Sequence, residues 1–144
     1  MAATRTTEYA VRALVAMLGG SGEDQVWQAA RLAKISGTPP KFLEQVLRLL
    51  RKGGLIRSRR GSGGGYELAR PANKIMMDEI IQLIDGPKEA VIKSGEPFRV
   101  EWSKLKAEAD NAFLEIMGQE SLARFVERVR SHRPSASRGT EYQI

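Results

Sequence analysis

Residues 53–70 read GGLIRSRRGSGGGYELAR, and few backbone shapes can accommodate that string. Gly61, Gly63, Gly64 and Gly65 crowd one short stretch. Glycine reaches positive φ and tolerates the close approach of another backbone. Two strand-like runs, Leu55-Ile56 and Tyr66-Glu67-Leu68, flank the glycines, so the segment predicts a β-hairpin. Arg57, Arg59 and Arg60 make that hairpin a positive finger. A phosphate-binding loop is a poor reading, because it needs a Lys-Ser/Thr pair opening a helix, and Tyr66-Glu67 follows here.

Helical periodicity surrounds the hairpin. Residues 4–18 place Ala10, Ala13, Leu14, Met17 and Leu18 on one face, with Thr4 or Thr6 as cap and Gly19, Gly20 and Gly22 as stop. A second helix is expected from Trp27 to Lys34, with Leu32 and Ile35 facing inward beside Ala29 and Ala33. The turn Ile35-Ser36-Gly37-Thr38 follows. A third helix is expected from Pro39 to Lys52, capped by Thr38, with Leu43, Val46, Leu47 and Leu50 on its apolar stripe. Two helices, a glycine-bearing turn and a basic hairpin match a winged helix-turn-helix.

Beyond Pro71 a fourth helix carries Met77, Ile80, Ile81 and Ile84 on one face, with Asp78-Glu79 as dipole-favoured charge in its first turn. Residues 87–99 read as a loop. A long helix is expected from about Val100, interrupted by Gly118, and a last amphipathic helix carries Leu122, Phe125, Val126 and Val129. Residues 132–144 read as a disordered tail. The expected architecture is mainly α with a small β-hairpin: a winged helix-turn-helix over 1–74, then a linker helix, loop and dimerisation helices over 75–131. Trp102, Leu105, Ala109, Phe113 and Ile116 are the candidate dimer contacts on the long helix. Phe98, Trp102 and the face over 77–84 could line a pocket, but read better as core.

Charge divides the chain unevenly. Residues 1–74 hold 13 Lys/Arg against 5 Asp/Glu, a net of +8, whereas residues 75–144 hold 10 against 12, a net of −2. No acidic residue falls between Glu44 and Glu67. Such segregation favours a polyanion over a merely solvated surface. The chain has no cysteine and one histidine, His132. Disulfides, thiolate-held iron–sulfur clusters and cysteine nucleophiles are excluded, and no catalytic set or metal site emerges. No cofactor is expected. No run approaches a membrane span, and Arg5, Glu8 and Arg12 break any signal-peptide core, so a cytoplasmic location without membrane contact is expected.

Double-stranded DNA is the expected partner, with a second copy of the chain. Gln45 suits adenine and Glu44 suits the cytosine amino group; Glu44 could instead pair with Arg48. Lys41, Arg48 and Arg51 suit guanine or phosphate, and Thr38 and Pro40 with the first helical amides suit a phosphate. On the hairpin, Arg60 and then Arg59 are candidates for minor-groove insertion, beside Ser58, Gly61, Ser62 and Gly63. Gln28, and less strongly Arg31, could touch the backbone from the second helix.

The chain resembles the Rrf-two family of winged-helix regulators, typified by IscR, NsrR and CymR. The matching motifs are Tyr9-Ala10-Val11-Arg12-Ala13-Leu14, Phe42-Leu43-Glu44-Gln45-Val46-Leu47, and Leu49-Leu50-Arg51-Lys52-Gly53-Gly54-Leu55-Ile56 running into Ser58-Arg59-Arg60-Gly61-Ser62-Gly63-Gly64-Gly65-Tyr66. The resemblance covers about residues 1–130 and implies a homodimeric transcription factor with a long dimerisation helix. Many relatives hold an iron–sulfur cluster on three cysteines in the loop before that helix, and some add an acidic ligand near the position of Glu8. This chain has no cysteine there. Met76 stands where relatives often have a capping threonine, which implies a loss on the order of 1 kcal/mol. The leading reading is a DNA-binding repressor without a cluster. The alternative is a protein-interaction or small-molecule-sensing winged-helix module with weak or ligand-gated DNA binding.

Overall fold

The structure is a computed structural model that describes residues 3–19, 25–86 and 95–132. Six α-helices and one antiparallel hairpin follow in the order α1 (Arg5–Leu18), α2 (Ala29–Ser36), α3 (Pro40–Lys52), β1 (Ile56–Arg59), β2 (Gly65–Leu68), a 3-10 turn (Ala72–Lys74), α4 (Met77–Asp85), α5 (Pro97–Met117) and α6 (Leu122–Ser131). The architecture is thus mainly α with a two-stranded sheet.

Thr4 caps α1 by accepting the Thr7 amide at 3.3 Å. Asp85, at the far end of α4, reinforces that start. Its carboxylate accepts the Thr4 amide at 2.9 Å and the Thr4 hydroxyl at 2.7 Å, with the Thr7 hydroxyl alongside. A carboxylate beside a helix N-terminus is also favoured by the helix dipole.

Helix α2 starts two residues later than its periodicity suggests. Trp27 leaves the helix to exchange both backbone hydrogen bonds with Tyr66, each at 2.7 Å. Ile35 then falls outside the core at 46% exposure, contrary to the expected inward position, while Leu32 is fully buried. Gly37 closes the turn at φ 66, a left-handed value that residues with a Cβ rarely adopt.

Helix α3 opens on Pro40, and Pro39 occupies the cap position. The expected Thr38 cap is not made. Thr38 is 2% exposed and its hydroxyl lies 2.9 Å from that of Ser36, so the pair satisfies itself inside the turn.

Helix α5 begins at Pro97, three residues before the expected Val100, because proline at the first helical position costs no hydrogen bond. Gly118 ends it. Most of the predicted 87–99 loop and the predicted tail beyond His132 lie outside the described residues.

One apolar cluster joins α1, α2, α3 and the hairpin to α4 and α6. Leu14, Leu32, Val46, Leu50, Ile80 and Leu122 have no measurable exposure in it. The starts of α4 and α6 are stitched together: the Leu122 amide donates to the Ile75 carbonyl at 2.7 Å and the Met77 amide to the Glu120 carbonyl at 2.9 Å. Met76 supplies no side-chain cap, as expected. Glu79 offsets part of that loss by accepting the Met76 amide at 3.0 Å.

Leu122 therefore seals the core from the C-terminal side. Leu122→Ala should lower stability by about 2–5 kcal/mol, the usual cost of emptying a buried leucine site. A reduced urea midpoint with an unchanged slope is the expected readout.

Candidate nucleic-acid interface

Two adjoining surfaces are basic and polar. The first is the outer side of α3. Leu43, Val46, Leu47 and Leu50 face the core, and helical geometry turns Lys41, Glu44, Gln45, Arg48, Arg51 and Lys52 to solvent. Pro40 is exposed at the helix start. Among the described residues neither Glu44 nor Arg48 makes an ion pair, so the alternative Glu44–Arg48 bridge is not formed. Thr38 is the exception in the candidate set, since its buried side chain cannot reach a ligand in this conformation.

The second surface is the hairpin. Its register pairs Ile56 with Leu68, Arg57 with Glu67, Ser58 with Tyr66 and Arg59 with Gly65. Ile56 and Leu68 enter the core. Gly61 and Gly63 take φ values of 102 and 80 at the tip, and the Gly64 amide closes the turn on the Gly61 carbonyl at 2.9 Å. Gly65 is required for a different reason. A Cβ there would collide with the Trp27 carbonyl, so a side chain would break the bridge between wing and helix. Gln28, exposed and next in sequence to Trp27, consequently sits at the base of the wing.

The three wing arginines are not equivalent, a distinction that sequence alone did not disclose. Arg57 and Arg59 each donate from Nε to the same Glu67 oxygen, at 2.7 and 3.0 Å. The Glu67 side chain is only 5% exposed and lies beneath both guanidinium groups. Arg60 makes no ion pair or side-chain hydrogen bond among the described residues and stands exposed beside the tip with Gly61, Ser62 and Gly63. The available signal was Glu67 itself, the first acid after Glu44, directly across the ladder from Arg57.

The Arg57 hydrogen bond is the largest influence on Glu67 and lowers its carboxyl below the ordinary 4.5; burial opposes this, and the charges of Arg59 and Arg57 add to the lowering. Glu79 is lowered too: burial, its largest single influence, raises it, but the Met76 amide and Arg70, 2.8 Å away, outweigh that.

Of the candidate contacts on α5, Trp102, Leu105 and Ile116 are more than half exposed, Ala109 is exposed and Phe113 is half-buried. No residue of α5 is buried. Phe98 and Trp102 are not core, contrary to that expectation. Their rings stack on each other in the open, with centroids 6.2 Å apart and planes within 7°. Glu8, the position compared with an acidic ligand, pairs with Arg12 at 2.9 Å.

Because the folded-state pKa of Glu67 is depressed, its ion pairs contribute fully above pH 4.5 and are lost as pH falls through the lowered value. Backbone amide shifts at Gly65 and Tyr66, followed by NMR, should move on that acid limb only. Glu67→Gln should abolish the movement.

The comparisons with known proteins agree with this geometry. The family described as "Rrf2: Iron-dependent Transcriptional regulator" matches residues 3–128. An HTH-type transcriptional regulator of Mycobacterium tuberculosis is 45% identical over 84 residues, 58% of this chain and 52% of that protein. IscR of Xenorhabdus nematophila is 36% identical over 96 residues, 67% of this chain and 58% of that protein. The chain spans about half the length of the first of these relatives. The solved structure of IscR from T. potens superposes with a TM-score of 0.69 at 25% identity, over 94% of both chains. CymR of B. subtilis, at a TM-score of 0.66 and 23% identity over 89% of this chain and 98% of its own, shares the fold. The hairpin is therefore the wing of a winged helix-turn-helix, and the chain belongs to the Rrf2 family of transcriptional regulators.

Proposed function

We propose that two copies of this chain bind a palindromic DNA site, read it with α3 and the wing, and repress transcription by occupying a promoter. The observation that carries the reading is the pairing of an exposed polar face on α3 with an unpaired arginine at the wing tip. Gln45 and Glu44 offer base-edge chemistry, and Lys41, Arg48 and Arg51 offer phosphate or guanine contacts. The Arg57–Glu67–Arg59 cluster carries a net single positive charge and stiffens the strands. Arg60 is then the side chain left to enter a narrow groove. No helix among the described residues is long and apolar enough to cross a membrane, in keeping with action on DNA in the cytoplasm.

The support for a second copy comes from α5. Phe98, Trp102, Leu105, Ala109, Ala112 and Ile116 alternate at spacings of four and three, a strict seven-residue repeat of exposed apolar residues. That 3.5-residue period is the seam of a left-handed helix pair. Three heptads on a helix of 21 residues give a seam roughly 30 Å long. A two-fold pairing would set the two reading helices one DNA turn apart, about 34–36 Å.

The iron–sulfur cluster of many relatives does not fit this chain. No cysteine exists to supply thiolate, and among the described residues no three His, Asp or Glu converge. Regulation here rests on another signal than a cluster held by this chain's own thiolates.

Selection of bound duplexes from a random pool should return an inverted repeat. On that site Gln45→Ala should cost about 1–3 kcal/mol, while weakening unrelated duplexes little. Arg60→Ala should weaken binding and relax any A·T preference flanking the half-sites. The log–log salt slope should change by about −0.9 per phosphate contact. Equal affinity of parent and both variants for every duplex would overturn the assigned surface. Leu105→Asp places a charge in the proposed seam and should yield a monomer in sedimentation, with DNA affinity lost in parallel.

A further inference from the structure

A cavity of about 420 Å³ lies between α1, α2 and α6, away from the α3 face and the wing tip. Its size falls within the roughly 300–1,000 Å³ typical of small-molecule sites. Its floor is apolar: Val15 and Ala16 of α1, the Trp27 ring, and Val126 and Val129 of α6. Its charged groups among the described residues are all of one sign. Arg12, Arg31 and Arg130 line it, and among the described residues no acidic one does.

Each guanidinium is held in place. The Arg31 guanidinium stacks 4.8 Å above the Trp27 ring. Arg130 donates to the carbonyl of Leu18 at the end of α1. Arg12 is held by Glu8, which is well exposed and does not line the cavity. Arg31 and Arg130 over an apolar floor, with the Glu8-paired Arg12 at its edge, match a ligand with an apolar body and one anionic end.

The walls connect directly to the reading elements. Trp27 donates its indole N–H to the Met17 carbonyl at 3.1 Å and bridges Tyr66 of the wing through its backbone. Ile35 and Ser36, also lining residues, lead into the turn before α3. We propose that this cavity is an effector site for a small organic carboxylate with an aromatic or short aliphatic body, and that its occupation alters DNA affinity. The regulatory half rests on the DNA-binding reading; the binding half does not.

The test uses the full chain carrying Trp102→Phe, which leaves Trp27 as the sole tryptophan of the two present. Phenylacetate and hexanoate are the probes, with 2-phenylethanol as the uncharged control. Saturable changes in Trp27 emission are expected with both acids, and at least about tenfold weaker response to the alcohol. Arg130→Gln should weaken acid binding about tenfold, and Glu8→Gln, which frees Arg12, should strengthen it. Val129→Phe, which fills the cavity, should abolish binding; circular dichroism verifies that each variant folds. No saturation by either acid up to about 10 mM, or an equal response to the alcohol, overturns the site. Saturating phenylacetate should also shift the affinity of the unsubstituted chain for the selected duplex about fivefold or more. Saturation of Trp27 with unchanged DNA affinity overturns the regulatory role. Saturation of Trp27, with the unsubstituted chain binding no duplex, upholds the site and overturns the DNA reading instead.

Discussion

The backbone exchange between Trp27 and Tyr66 holds the molecule's working parts in one frame. An isolated two-stranded hairpin is marginally stable in water. Here the wing gains a third short backbone partner through two hydrogen bonds of 2.7 Å, and that partner is itself anchored by an indole bonded to α1. Ile56 and Leu68 add apolar burial from the hairpin side. The wing is therefore fixed relative to α1 and α2, and α3 is fixed relative to both through the shared core. Two surfaces can read one duplex only if the angle between them is set before binding, since flexibility there would be an ordering cost at every encounter. The absence of a side chain at Gly65 makes the approach possible, so on the proposed reading a glycine without chemistry of its own matters as much as any arginine.

Electrostatics refines that frame. A hairpin with three arginines and no acid would repel itself and its neighbours in the free state. Burying Glu67 beneath Arg57 and Arg59 removes one charge from the total and orders two long side chains at once. The guanidinium groups keep further N–H donors directed outward, because both bonds use Nε. Arg60 stands exposed and makes no side-chain bond among the described residues. The wing thus divides into an ion-paired cationic base and an exposed cationic tip, and the division is set by which residues face Glu67 across the ladder.

Much of the fold was legible because it rests on local rules. The periodicity of 4–18, the stripe on α3, the glycine stops and the hairpin all follow from spacing and backbone preference. The failures share a different origin. Trp27 fits a helical pattern, yet a long-range bridge takes it out of the helix; Ile35 loses its inward place in the displaced register. Thr38 has the chemistry of a cap, but Ser36 competes for its hydroxyl inside a buried turn. Phe98 and Trp102 have the composition of a core, and no surface among the described residues covers them. The inequality of the wing arginines was encoded only in strand register, which fixes neighbours that sequence distance does not. Likewise the three cavity arginines stand far apart in sequence, on α1, α2 and α6, and only packing brings them together.

That convergence bears on how such a chain could respond to a signal without thiolates. A ligand shifts an equilibrium only by the difference in its affinity for the two states. A site distant from the reading surfaces and built on rigid walls would be silent, because both states would bind equally. The cavity between α1, α2 and α6 is not of that kind. Its floor includes the residue that bridges to the wing, and its rim includes the residues that enter the turn before α3. Any displacement of Trp27 that accommodates a ligand must be shared with Tyr66, and any movement of Ser36 must be shared with Thr38. On the proposed reading, the hydrogen bonds that set the wing against α2 and α3 are the same bonds through which a bound anion would act.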